Sequence, residues 1–125
     1  MHESGEMYLE TILVLGKEKN YVRAIDVVEK RNFSRASVSR GLAKLRKDAC
    51  IVVDGSGYIA LTEKGRQIAE KIYERHQVLS AMLIDLGVDA QVAYEDACKI
   101  EHDLSDESFA AIKTHYKERG SGQSK

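Results

Sequence analysis

Cys98, Glu101 and His102 fall within one short stretch, Cys98-Lys99-Ile100-Glu101-His102. On a helix, positions i, i+3 and i+4 lie within about 100° of arc, so a thiol, a carboxyl and an imidazole would leave one face together. All three side-chain types bind divalent cations. The same spacing also occurs on solvated helix faces, where acids and histidines simply meet water. Two more ligand-type positions lie in Glu6-Met7-Tyr8-Leu9-Glu10, where Met7 and Glu10 stand three apart, and His76 sits midway along a long amphipathic run. Each has an ordinary alternative: Met7 as core filler, Glu10 as a surface charge, His76 as a polar helix residue.

The elements that must position these groups can be read from periodicity, caps and glycine, since the 125-residue chain has no proline. Tyr8, Leu9, Ile12, Leu13 and Leu15 mark a first amphipathic helix over about residues 4–18. Val22, Ile25, Val27 and Val28 mark a short second helix ending near Asn32. Ser34 is an N-cap for a third, reaching about Lys47, with Val38, Leu42 and Leu45 on its buried stripe. Ile51-Val52-Val53 and Tyr58-Ile59-Ala60-Leu61 are β-prone runs around Asp54-Gly55-Ser56-Gly57, a hairpin signal. Helix resumes at Thr62-Glu63-Lys64-Gly65 and runs to about Leu86, where Gly87 is the expected stop. Asp89 caps a fifth helix to about Leu104, and Ser105-Asp106-Glu107 opens a sixth to about Glu118.

Three helices followed by a two-stranded hairpin is the order of a winged helix-turn-helix. The chain therefore reads as mostly α with a small hairpin: a winged helix at 1–66, a three-helix dimerisation and metal-binding domain at 67–119, and a flexible tail at 120–125. The net charge of −1 hides an asymmetry. Residues 21–66 hold ten Lys/Arg against five acids, while the rest of the chain holds nine against fifteen. One part suits a phosphate backbone and the other attracts cations. No acid interrupts Ser34 to Lys47. There Ser34, Arg35, Ser37, Ser39 and Arg40 occupy the end of the third helix that reaches base edges, with Lys44 and Lys47 behind them for the backbone. A basic face that is merely solvated is the competing reading; the helix order and the glycine-tipped hairpin favour double-stranded DNA.

Two cysteines, Cys50 and Cys98, exclude a four-cysteine zinc site. Both are expected as free thiols, with Cys50 a small buried hydrophobe. No apolar run approaches the roughly 20 residues of a membrane span, and the start lacks a basic leader, so a soluble, cytoplasmic protein is expected. No Gly-rich phosphate loop, nucleophile elbow or zincin motif is present, which argues against an enzyme acting on a small organic substrate.

Taken together, Glu6-Met7-Tyr8-Leu9, Ser34…Val38-Ser39, Leu61-Thr62…Gly65, Arg75-His76 and Asp96-Ala97-Cys98…Glu101-His102…Leu104-Ser105-Asp106-Glu107 resemble the iron-dependent repressor family, relatives of the diphtheria toxin repressor and the manganese transport regulator. The resemblance covers the chain to about Gly120. It implies a homodimeric repressor that binds operator DNA when loaded with metal. It also implies that Met7, Cys98, Glu101 and His102 match the principal site of iron-type members. His76 matches a neighbouring-site ligand of both branches, and Glu10 a ligand of manganese-type members. Iron-type members carry further second-site ligands where this chain has Ser80 and Tyr94, so that site departs from the pattern. A manganese-type arrangement on Glu10, His76, Glu101 and Cys98 stays open. The chain is also shorter than members with an SH3-like third domain. Sulfur at Met7 and Cys98 favours Fe(II) over Mn(II), which prefers oxygen-rich shells. The rival expectation is a metal-independent winged-helix transcription factor.

Overall fold

A computed structural model describes residues 3–123, with side chains described for residues 4–117. Its elements run α1(Glu3–Glu18), α2(Ala24–Lys30), α3(Arg35–Lys47), β1(Ile51–Val53), β2(Ile59–Leu61), α4(Glu63–Asp85), α5(Ala90–Ile100) and α6(Asp106–Gln123). The chain divides into two compact units, the first ending at Lys71 and the second beginning at Ile72, both within α4. Among the described residues no helix is long and apolar enough to cross a membrane.

The first unit is a winged helix-turn-helix. In α1, Leu9, Ile12, Leu13 and Leu15 are buried, as are Val27 of α2 and Val38, Leu42 and Leu45 of α3. Helix α1 packs on both α2 and α3. Tyr8 lies so close to α3 that a Cβ at Gly41 would collide with its ring, and the ring meets Phe33 edge-on at 4.9 Å. Helix α3 starts where Ser34 Oγ accepts the Ser37 N–H at 3.1 Å, which satisfies a donor that the first turn leaves without a helical partner. It ends through Ala49, a non-glycine residue at φ 63, beyond which the Cys50 N–H returns to the Leu45 carbonyl. Cys50 is buried, as a small apolar side chain would be.

The wing is an antiparallel pair with Ile51 opposite Leu61 and Val53 opposite Ile59. Asp54 makes its turn. One carboxylate oxygen accepts the N–H groups of Ser56 and Tyr58 at 2.8 and 3.0 Å, and Gly57 takes the φ of +85° that the turn needs. Strand β2 is also tied to the segment before α2, because the Ile59 N–H donates to the Val22 carbonyl at 2.8 Å. Thr62 caps α4 by accepting the Gly65 N–H, and only glycine fits at 65, since a Cβ there would strike the Cys50 carbonyl.

In the second unit, Ile72, Arg75 and Leu79 form a buried stripe on α4, Ala93 and Ala97 are buried on α5, and Phe109 is buried on α6. Gly87, at φ +103°, ends α4 as its sequence position implied. Asp89 and Ser105 cap α5 and α6 by accepting the N–H groups of Gln91 and Ser108. Two boundaries differ from the sequence expectation. Helix α5 stops at Ile100, four residues before Leu104, and the carbonyl of Glu101, its cap, turns to Arg75. Helix α6 continues past Glu118 to Gln123, each added residue closing one more backbone hydrogen bond once the helix is under way. Of the tail read at 120–125, Ser124 and Lys125 lie outside the described residues.

Candidate metal centre and nucleic-acid interface

Three ligand-type side chains meet in the second unit. His76 comes from α4, Cys98 from the last turn of α5, and Glu101 is the residue that caps α5. One ligand atom from each lies within 4.8 Å of the others. Two ligands on opposite sides of a single transition-metal ion stand about 4–4.5 Å apart, so the spread is that of one coordination shell. His76 Nδ1 is 2.9 Å from Glu101 Oε1 and 3.8 Å from Cys98 Sγ.

The electrostatics are those of a site holding a proton where a cation fits. Glu101 is 0% exposed, and a carboxylate out of water must be compensated by partners. Its Oε1 is: the Nδ1–H of His76 donates to it. Its Oε2 takes no hydrogen bond among the described residues, and His102 Nε2 stands 3.4 Å away. The Cys98 sulfur and then the Glu101 carboxylate push the His76 imidazolium up to about 10, against burial, which pulls it down. A nitrogen, a sulfur and a carboxylate oxygen, with a buried acceptor left over, fit a divalent transition metal.

The expectation that Cys98, Glu101 and His102 share one helical face is corrected in detail. Helix α5 ends at Ile100, so His102 sits in the turn that follows. Glu101 keeps helical torsions (φ −60°, ψ −27°), and therefore still leaves on the side of Cys98. Arg75 ties down the turn that follows the helix. Its Nη1 donates to the carbonyls of Glu101 (3.0 Å) and Leu104 (2.6 Å), and its Nη2 donates to Asp106 Oδ1 at 2.6 Å. The last helical carbonyl, that of Ile100, accepts the Asp103 and Leu104 N–H groups, and the carbonyl of the cap residue Glu101 takes the buried guanidinium. One signal in the residue pattern points to Arg75. Arg75 falls on the apolar stripe between Ile72 and Leu79, where a cation must be paired.

The positions at which iron-type members carry second-site ligands are turned to other uses. Ser80 donates its hydroxyl to the His76 carbonyl at 2.6 Å, and Tyr94 is exposed with its ring 6.2 Å from the His76 ring. In the first unit, Met7 is half-buried on α1 and Glu10 is 1% exposed. The surface-charge alternative for Glu10 is thereby removed, and Arg31 Nη2 lies 3.7 Å from its Oε1.

The α3 side chains expected at DNA are presented to solvent. Ser34, Arg35, Ser39, Arg40, Lys44 and Lys47 are exposed and Ser37 is half-buried. Among the described residues none of Arg35, Arg40, Lys44 and Lys47 pairs with a carboxylate. The underside of the same helix is Val38, Leu42 and Leu45. The first unit thus offers a basic, acid-free helix face supported by an apolar one.

Residues 1–57 match the iron dependent repressor N-terminal DNA binding domain, and residues 62–119 match the iron dependent repressor metal binding and dimerisation domain. An HTH-type transcriptional regulator MntR from Geobacillus kaustophilus (strain HTA426) is 37% identical over 102 residues, which is 82% of this chain and 72% of that protein. The chain belongs to the iron-dependent repressor family. A second HTH-type transcriptional regulator MntR, from Bacillus velezensis, is 36% identical over 109 residues, 87% of this chain and 77% of the relative. The solved structure of the manganese regulator SloR superimposes with a TM-score of 0.82 at 25% identity, over 90% of this chain and 53% of that one. The chain spans about half the length of that solved relative. The winged helix and metal-binding helical domain expected of the family are both present, and both matched domains are those of transcriptional regulators rather than enzymes.

Proposed function

We propose that this chain is a cytoplasmic, dimeric repressor that binds operator DNA when loaded with a divalent metal held by His76, Cys98, Glu101 and His102, with Met7 and Glu10 of α1 as further ligands. The convergence of His76, Cys98 and a buried Glu101, whose Oε2 takes no hydrogen bond among the described residues, carries this reading. A divalent cation, when bound, supplies the positive charge that the His76 proton otherwise provides. His76 would give up that proton, Cys98 would bind as a thiolate, and the Glu101 carboxylate would bind in its ionised form. On the DNA side, Arg35 and Arg40 read base edges, Ser34, Ser37 and Ser39 bind phosphates or bases near the helix start, and Lys44 and Lys47 neutralise the backbone.

Helix α1 gives the two activities a route of communication. It carries Met7 and Glu10, and the intervening Tyr8 packs on Gly41 of the reading helix. Ordering α1 would favour the DNA-competent arrangement of α3, so that metal-free protein binds DNA at an energetic cost. Exposed apolar side chains of the second unit, among them Val92, Tyr94 and Ile100 on α5, support pairing with a second copy. In a two-fold dimer the reading helices would enter successive major grooves about 34 Å apart.

The choice of metal rests on donor chemistry. Cys98 and Met7 supply sulfur, which supports Fe(II) over Mn(II). The comparisons lend that preference no support, since one matched structure is named a manganese regulator. Anaerobic gel-shift titrations, using duplexes selected from a random pool with Fe(II) or Mn(II) present, test the whole reading. Chelator should weaken binding at least about tenfold (on the order of 1.4 kcal/mol). Equal affinity with and without chelator would leave a metal-independent winged-helix factor.

A further inference from the structure

We propose that Arg75 is a positioning residue for the metal centre: its buried guanidinium fixes the turn that presents Glu101 and His102. The inference rests on the metal reading of His76, Cys98 and Glu101. Arg75 is 4% exposed, and it spends its donors on both ends of one short segment, the carbonyls of Glu101 and Leu104 and the carboxylate of Asp106 at the start of α6. Its neighbour His76 takes the Glu101 side chain. Two consecutive residues of α4 therefore hold Glu101 twice, Arg75 by its backbone and His76 by its carboxylate. The Phe109 ring lies 5.2 Å from the guanidinium carbon.

The geometry calls for a guanidinium in particular. Three acceptors on two sides of a turn need a planar, forked donor that keeps its charge when buried. A lysine ammonium is a point donor and cannot hold both carbonyls and the carboxylate in one arrangement. Without the clamp, the turn can rotate the Glu101 carboxylate away from Cys98 while the helices persist. Groups that orient metal ligands from behind typically change affinity by about 10- to 100-fold when removed.

Cobalt(II) is the probe, because its visible bands report ligand type and geometry. Anaerobic Co(II) titrations would compare the full chain with Arg75→Lys, Arg75→Gln and Cys98→Ser. The full chain should show a sulfur-to-cobalt charge-transfer band that Cys98→Ser removes. If that band is absent from the unaltered chain, the metal reading fails and the Arg75 assignment falls with it. Given the band, Arg75→Lys should bind Co(II) about 10- to 100-fold more weakly, with altered ligand-field bands and an unchanged far-ultraviolet circular dichroism spectrum. Arg75→Gln should be weaker still; should it fail to fold, the charge-preserving Arg75→Lys decides. Cobalt affinity and spectrum in Arg75→Lys matching the unaltered chain would overturn the positioning role while leaving the metal reading intact.

Discussion

The two units treat charge in opposite ways. In the first, Arg35, Arg40, Lys44 and Lys47 are exposed on one helix and pair with no carboxylate among the described residues, a surface open to counter-charge from another molecule. In the second, Glu101 is sealed from water, with one oxygen paired to His76 and the other without a hydrogen bond among the described residues. Exposed charges are cheap to keep and contribute little to stability, so their number can be set by the ligand. A buried charge is costly unless paired, so its surroundings are fixed closely. Single substitutions on the basic face should accordingly weaken binding by degrees, whereas one in the metal centre should abolish it.

Breaking the buried side should give the largest effect. Glu101→Ala removes a ligand and the partner of His76 together, and should abolish stoichiometric metal uptake, at least about 100-fold in Kd. Isothermal titration with Mn(II) and Fe(II) checks this, and metal-independent duplex binding should persist at its chelated level. On the exposed side, Arg35→Ala or Arg40→Ala should each cost about 1–3 kcal/mol in duplex affinity and relax sequence preference, while Lys44→Ala or Lys47→Ala should lower the salt slope of binding by about one. Metal affinity should be unchanged in all four. A shift in metal affinity on altering a solvent-facing arginine would blur the division.

Proton linkage sharpens the comparison further. His76 is raised to about 10, so below that pH its ring holds a proton that metal must displace. Metal affinity should rise with pH across the neutral range, by up to about tenfold per unit, with roughly one proton released from His76 per metal. Titrations in buffers of different ionisation heat read that proton, and His76→Gln should lose it. Without metal the sign reverses. The stability that protonated His76 contributes is complete below about 6.5, its ordinary value, and is lost as pH rises through about 10. The smallest expected effect lies at the end of α3. Ala49 sits at φ 63, a conformation that costs a residue with a Cβ roughly 1 kcal/mol, so Ala49→Gly should raise the thermal midpoint slightly without altering metal or DNA affinity.

Much of this was legible in the chain because local chemistry decided it. Ser34, Asp89 and Ser105 are caps, Gly87 is a stop, and Asp54 to Gly57 is a turn, each recognisable from residue type alone. The stripe Val38-Leu42-Leu45 and the acid-free face opposite it needed only helical spacing. What could not be read came from contacts distant in sequence. Arg75 braces the turn after α5 from 26 residues away, so Glu101 and His102 look like helix residues in the sequence when they belong to a turn. The burial of Glu10 was hidden for the same kind of reason, since its neighbours in sequence do not report whether water reaches it. Gly65, obligatory against the Cys50 carbonyl, looked only like part of a helix start.

The coupling between the two kinds of charge is tested most directly by linkage. Duplex affinity would be measured by fluorescence anisotropy with and without saturating metal, and metal affinity with and without saturating duplex. The two ratios must agree if one equilibrium connects the sites. We predict a common factor of about ten or more in the unaltered chain, and in Glu101→Ala, which takes up no metal, added metal should leave duplex affinity unchanged. A factor of one in the unaltered chain, with metal still bound at His76, Cys98 and Glu101, would contradict metal control of DNA binding.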